Sequence, residues 1–191
     1  MRSGIIASSL LVLGLAAAPA YGQVFTPTYM APRASSDVGV YFSDGPGEFA
    51  VEGIWRGIYG GQNVGLRAGL ADTEDVMVLL GAEYRNALTQ STPLDLSVTA
   101  AGQGAFGDFS AFGFLLGLSV GHTFALDELA VTPYVHPRFG LINSFGGDDE
   151  LDLELVADFG IDARLTENVE IRFAFPLDSE GSDWGVGFAW R

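Results

Sequence analysis

From Asp37 to the end of the chain, apolar and polar residues alternate with a period of two, the repeat of a strand whose successive side chains point to opposite faces. The spacing predicts ten strands, at about 37–43, 48–58, 63–71, 75–85, 94–104, 110–124, 129–142, 151–164, 168–177 and 183–191. Turn-forming clusters punctuate them, DGPG at 44–47, GGQN at 60–63, STP at 91–93, GGDD at 146–149 and SEGSD at 179–183. No stretch of helical period competes. Short connections between successive strands imply an antiparallel meander closed into an up-and-down barrel. If 37–43 caps the barrel instead of joining it, eight strands with re-divided pairs are the alternative.

The two faces differ in kind. One carries Phe49, Val51, Trp55, Val64, Leu66, Leu70, Val76, Val78, Leu80 and their counterparts to Trp190, without a single Asp, Glu or Arg. The other carries Glu52, Arg56, Arg67, Glu83, Arg85, Asp95, Arg138, Asp158, Arg164, Glu170 and Arg172, together with Gly65, Gly69, Gly81, Gly113, Gly117, Gly121, Gly160, Gly185 and Gly187. Alternation alone fits a soluble barrel with the faces inverted, a secreted protein binding an apolar ligand. The glycines decide against it. Glycine is costly in an exposed strand, whereas a cramped lumen needs small residues beside bulky Arg and Glu. The apolar face also places Phe42, Phe49, Phe112 and Trp184 towards one end and Tyr59, Tyr84, Phe124 and Trp190 towards the other, as aromatic girdles at two membrane interfaces would be. Nine to eleven residues at about 3.3 Å each and a tilt near 40° span the roughly 25 Å apolar band of an outer membrane. The fold class expected is therefore all-β, an antiparallel up-and-down transmembrane β-barrel. Pro133, Pro137 and Pro176 each remove a ladder donor, and bulges are expected there.

Ahead of the barrel, Arg2, the apolar run Ile5 to Ala18 and the small residues of Ala20-Tyr21-Gly22 read as a signal peptide over 1–22 cleaved before Gln23. Residues 23–36 are expected to form a periplasmic segment and 37–191 the barrel. The protein is thus expected in a bacterial outer membrane.

Composition narrows the chemistry. The 191 residues carry 9 basic and 24 acidic side chains, a net charge of −15, with no cysteine and 2 histidines. Every basic residue is Arg. So acidic a chain is no nucleic-acid binder, and without cysteine there is neither a disulfide framework nor thiolate chemistry. Alternate connections lie at opposite ends of a barrel, and one end collects twelve acids (Asp44, Glu48, Asp72, Glu74, Asp75, Asp108, Asp148, Asp149, Glu150, Asp178, Glu180, Asp183) against three at the other (Asp127, Glu128, Glu167). Of these, Asp148, Asp149, Glu150, Asp178, Glu180 and Asp183 are weak candidates for Ca²⁺ or Mg²⁺, which prefer several carboxylate oxygens; no other metal and no cofactor is expected. His136 lies on the charged face among carboxylates, but no Ser or second His completes a catalytic set, so no enzymatic activity is expected.

The period-two hairpins, Thr132-Pro133-Tyr134-Val135, the glycine-spaced runs NVGLRAGLA (63–71) and GFLLGLSVGHTF (113–124), and the last strand WGVGFAWR resemble the small outer-membrane β-barrels of the OmpA/OmpX-like kind over about 37–191. The resemblance implies outer-membrane lipid and lipopolysaccharide as surroundings and the barrel insertion machinery as partner, with Trp190 in the place of the terminal aromatic residue it reads. The function expected is a structural or envelope role, the lumen plugged by ion pairs among the eleven charged residues of the inner face. The alternative is a narrow channel for small solutes.

Overall fold

The computed structural model describes residues 26–73, 76–91, 94–107, 110–127, 129–145, 150–177 and 182–191; the signal peptide assigned to 1–22 lies outside them. Among the described residues the regular structure is all strand: β1 (Asp37–Ser43), β2 (Phe49–Tyr59), β3 (Gln62–Asp72), β4 (Val76–Ser91), β5 (Leu94–Phe106), β6 (Ser110–Gly121), β7 (Phe124–Leu126), β8 (Leu129–Phe145), β9 (Glu150–Arg164), β10 (Val169–Leu177) and β11 (Gly185–Trp190). Each pairs antiparallel with its neighbours, and β1 pairs with both β2 and β11, so the ring closes through the two ends of the barrel chain. The eight-strand alternative is thereby excluded. β6 and β7 are two pieces of one stave, because both lie against β8 in a single register, Gly117↔Arg138, Gly121↔Tyr134 and Phe124↔Val131. The result is a closed antiparallel barrel of ten strands.

The prolines act differently from expectation. Register runs unbroken through Pro133↔Ile161, Pro137↔Ala157 and Pro176↔Asp158, with no bulge. What β8 loses instead is pairing with β6: the rungs of Leu118 and Ser119, opposite Pro137 and His136, are missing, and the β6 to β7 break at His122 and Thr123 falls opposite Pro133 and Thr132. A ring nitrogen without a hydrogen cannot close a rung, and dropping it on one side costs less than re-threading the strand. The register shift that does occur lies between Ala87 and Thr89.

Exposure fixes which face is outside. Leu66, Phe139 and Leu153 are 56%, 63% and 73% exposed, whereas Arg56 and Arg138 are 1% and 2% exposed. A soluble barrel would show the opposite, so that alternative fails. The inward glycines make room for large rings: a Cβ on Gly160 would stand 2.1 Å from the Tyr134 ring, and one on Gly187 2.1 Å from the Tyr41 ring. The interior is not polar throughout. Towards the acidic rim, Ala50, Ala71, Met77, Leu79, Ala105, Ala111 and Ile142 form a buried apolar cluster, and the charged side chains lie between it and the other rim.

Candidate functional site: the occupied lumen

The segment assigned to the periplasm over 23–36 is described from residue 26, and there it lies inside the barrel. Thr26 to Pro32 are buried, and the chain descends the lumen to Ser35 and Asp37, where β1 begins. Pro27 and Pro32 lack the donors that would let the segment join the sheet as a strand, and it makes no backbone ladder with the wall among the described residues. Side chains of the wall hold it instead. Arg67 donates to the carbonyl of Pro27 from both terminal nitrogens at 3.2 and 3.1 Å, Arg56 to that of Thr28 at 3.2 Å, Arg85 to that of Ala31, and Asn63 to that of Ser35 at 2.9 Å.

The segment's own side chains answer in kind. Thr26 donates to Glu52. The Thr28 hydroxyl lies 3.3 Å from Asp158 Oδ2 and 3.0 Å from His136 Nδ1, while Thr99 Oγ1 sits 2.7 Å from His136 Nε2. Both imidazole nitrogens are thus engaged by threonine hydroxyls, which makes His136 part of the anchorage. Arg33 forms a two-pronged pair with Asp95 at 2.8 and 3.3 Å. Tyr29 packs against Tyr41 with 4.6 Å between ring centroids and the planes tilted by 46°, and donates to the carbonyl of Phe42.

Around this segment, ion pairs line the wall. Arg172 bridges Asp37 at 2.8 Å, Glu170 at 2.9 Å and Asp162 at 3.5 Å, and Glu170 also meets Arg191. Arg56 joins Glu83 and, at 3.5 Å, Asp37. The Tyr41 hydroxyl accepts from Arg56 at 2.8 Å and Arg172 at 2.7 Å, tying the two guanidinium groups to one oxygen. Arg67 pairs with Glu52, and Arg138 with Asp158 at 2.6 Å.

Of the eleven charged residues assigned to the lumen from sequence, Glu52, Arg56, Arg67, Glu83, Arg85, Asp95, Arg138, Asp158, Glu170 and Arg172 are buried there, whereas Arg164 is exposed at the neutral rim. Asp162, which shares the charged face in the alternation, is buried with them, and so is Asp37 at the start of β1. The larger omission is the segment itself, whose signal was faint: two prolines and an arginine in a stretch without alternation. A cavity of about 130 Å³ opens beside it at the neutral rim, lined by Arg33, Thr123, Asp162, Arg164, Glu170 and Arg191 among others. Of the candidate cation ligands, Asp148, Asp149, Asp178 and Glu180 lie outside the described residues, and Asp183 is exposed with its backbone N–H on Asp44. No group of three or more metal-ligating side chains occurs among the described residues.

A closed ten-strand antiparallel barrel, apolar outside and charged within, has the build of a β-barrel that crosses a membrane with its strands. No protein family matches the chain, and no curated protein does. Among solved structures it is similar to the KdgM porin, with a TM-score of 0.45, and to the KdgM porin in complex with disordered oligogalacturonate, with a TM-score of 0.46. Identity is 9% in both, over 82% of this chain and 98% of theirs. The OmpA/OmpX-like family read from the sequence is not identified by any family or curated match.

Proposed function

We propose that the protein is a narrow channel for small solutes in a bacterial outer membrane, exported by removal of 1–22 and closed in this conformation by residues 26–36. One observation carries the reading: among the described residues, the stretch of chain that stops the lumen has no rung to the barrel and is held through side chains. Ion pairs alone would make a permanent plug, the structural role expected from sequence, but here they line the wall and leave the centre to a removable segment. The exposed apolar face supports lipid as its surroundings, with lipopolysaccharide beside the acidic rim and the insertion machinery acting on the last strand.

Planar-bilayer recording tests it. The full chain conducts little, and a variant with residues 26–33 replaced by a short Gly-Ser linker conducts steadily. Equal, negligible conductance from both would refute the channel, and recovery of the protein as a detergent-independent periplasmic monomer would refute the membrane assignment.

A further inference from the structure

Arg85 is 3% exposed, makes no ion pair among the described residues, and donates only to the neutral oxygens of Ala31 and Asn63. Its Nε has no hydrogen-bond partner among the described residues. Buried guanidinium groups ordinarily sit against carboxylates, since an uncompensated buried charge is costly. Three further groups on the same wall share this condition: Arg138, whose Nε and Nη1 are unpartnered although Nη2 meets Asp158, and the hydroxyls of Ser97 and Ser119.

The register brings these residues together. Arg85 on β4 is opposite Thr99 on β5, Thr99 opposite Gly117 on β6, and Gly117 opposite Arg138 on β8. One step nearer the neutral rim, Ser97 is opposite Ser119, and the pairs on either side align Ser119 with His136. Gly117 lets the Arg138 stem lie inward, for a Cβ there would stand 2.6 Å from Arg138 Cγ and 3.1 Å from Thr99 Oγ1. Two adjacent rows across four strands thus hold two guanidinium groups and two serine hydroxyls, and all five unpartnered atoms can donate. The charged groups around Arg85 are Glu83, paired with Arg56, and Asp162, paired with Arg172, while Asp158 is paired with Arg138; none of these carboxylates pairs with Arg85.

We propose that Arg85, Ser97, Ser119 and Arg138 form an oxyanion site on the lumen wall, covered in this structure by residues 26–36, so that a small oxyanion and the segment compete for the same donors. The Ala31 carbonyl is the stand-in. A carbonyl is a neutral acceptor that presents one oxygen, whereas sulfate, phosphate or a carboxylate brings a negative charge of its own and offers oxygens to several donors at once. Binding replaces the Ala31 contact with several to charged oxygens, which offsets part of what the segment's other anchors at Arg67, Arg56, Asn63 and Asp95 contribute and shifts the balance towards the state in which the segment has left. The inference rests on the reading of residues 26–36 as removable, and it adds the ligand that removes them.

The chain has no cysteine, so Ala31→Cys gives a single reporter in the full-length protein refolded in detergent, where it is alkylated by a soluble maleimide. Sodium sulfate at matched ionic strength is expected to speed alkylation on the order of tenfold over sodium chloride. Arg85→Gln on the reporter background abolishes the difference, and so does Ser97→Ala with Ser119→Ala, which alters no charge and keeps the test valid if the arginine variant fails to fold. Equal rates in the two salts overturn the site. A sulfate effect that survives both sets of substitutions also overturns it, by placing the anion elsewhere. Steady alkylation in sodium chloride alone shows that the segment leaves, so equal rates then overturn the site and not the channel, whereas no alkylation in either salt overturns the removable segment and the site with it.

Discussion

Arg67→Met is the perturbation that separates the wall from the segment most sharply. Arg67 gives Nε to Glu52 Oε1 at 2.9 Å, Nη2 to Glu52 Oε2, and both terminal nitrogens to Pro27. Methionine keeps the apolar stem and removes every donor. Glu52, 4% exposed, is then left with the Thr26 hydroxyl as its remaining partner among the described residues. Breaking a buried pair by removing one member costs about 3–5 kcal/mol, because the surviving charge is uncompensated. Replacing both members with apolar groups avoids that penalty, so Arg67→Met with Glu52→Leu is expected within about 1 kcal/mol of the parent, a coupling of 2 kcal/mol or more. Urea unfolding of the refolded protein in detergent micelles, followed by tryptophan fluorescence, measures these two variants together with Glu52→Leu alone, which closes the cycle. Since both variants release Pro27, both should raise bilayer conductance whatever their stability. A loss under about 1 kcal/mol for the single variant, or additivity in the double, would refute the claim that this pair is buried and paired in the working protein.

Gly160→Ala puts a methyl group 2.1 Å from the Tyr134 ring and is expected to cost more than the usual 1–3 kcal/mol or so of overpacking, measured in the same unfolding assay, and to be rescued by Tyr134→Phe only partly. Leu66→Arg, on the outward face at mid-strand, should destabilise by about 2–4 kcal/mol in lipid, whereas Thr166→Arg in the neutral-rim turn should not, as read by folding into vesicles. Thr28→Val removes the hydroxyl near both Asp158 and His136; it should weaken the segment's anchorage by about 1–3 kcal/mol and raise amide exchange at 28–32 while the strands stay protected.

The architecture was legible because inside and outside obey opposite rules that leave a mark at every second residue. Arg56, Arg67 and Arg172 sharing a parity with Gly65 and Gly187 could only mean a crowded interior, and Gly187 indeed sits under Tyr41. The apolar layer at the acidic end escaped notice because Ala50, Ala71, Ala105 and Ala111 are small and uncharged, and so read as neutral on either face. The prolines misled because sequence shows a missing donor but not which neighbouring strand forgoes the bond. Arg164 follows the parity of its strand, yet stands past the last inward turn, where the wall opens to the rim. Residues 26–36 were out of reach for a different reason: their place is set by no local period, only by carbonyls that happen to meet arginines from β2, β3 and β4. Which carboxylate each arginine chooses is likewise a matter of barrel register, not of spacing along the chain.

The clasp between β1 and β11 divides the possible orders of events into two. Their six rungs, Val38↔Trp190 to Ser43↔Gly185, join positions about as far apart in the barrel sequence as any two can be, and loop-closure entropy makes such contacts late. Residues 26–36 run straight into β1. While the ring is an open, curled sheet, that stretch can be laid sideways onto the arginines of its inner wall. Once the clasp is shut, only passage end-on through a mouth remains. The barrel that closes first and is stoppered afterwards must therefore thread its own chain, whereas the barrel that is stoppered first closes around its contents like a ring cast about a core.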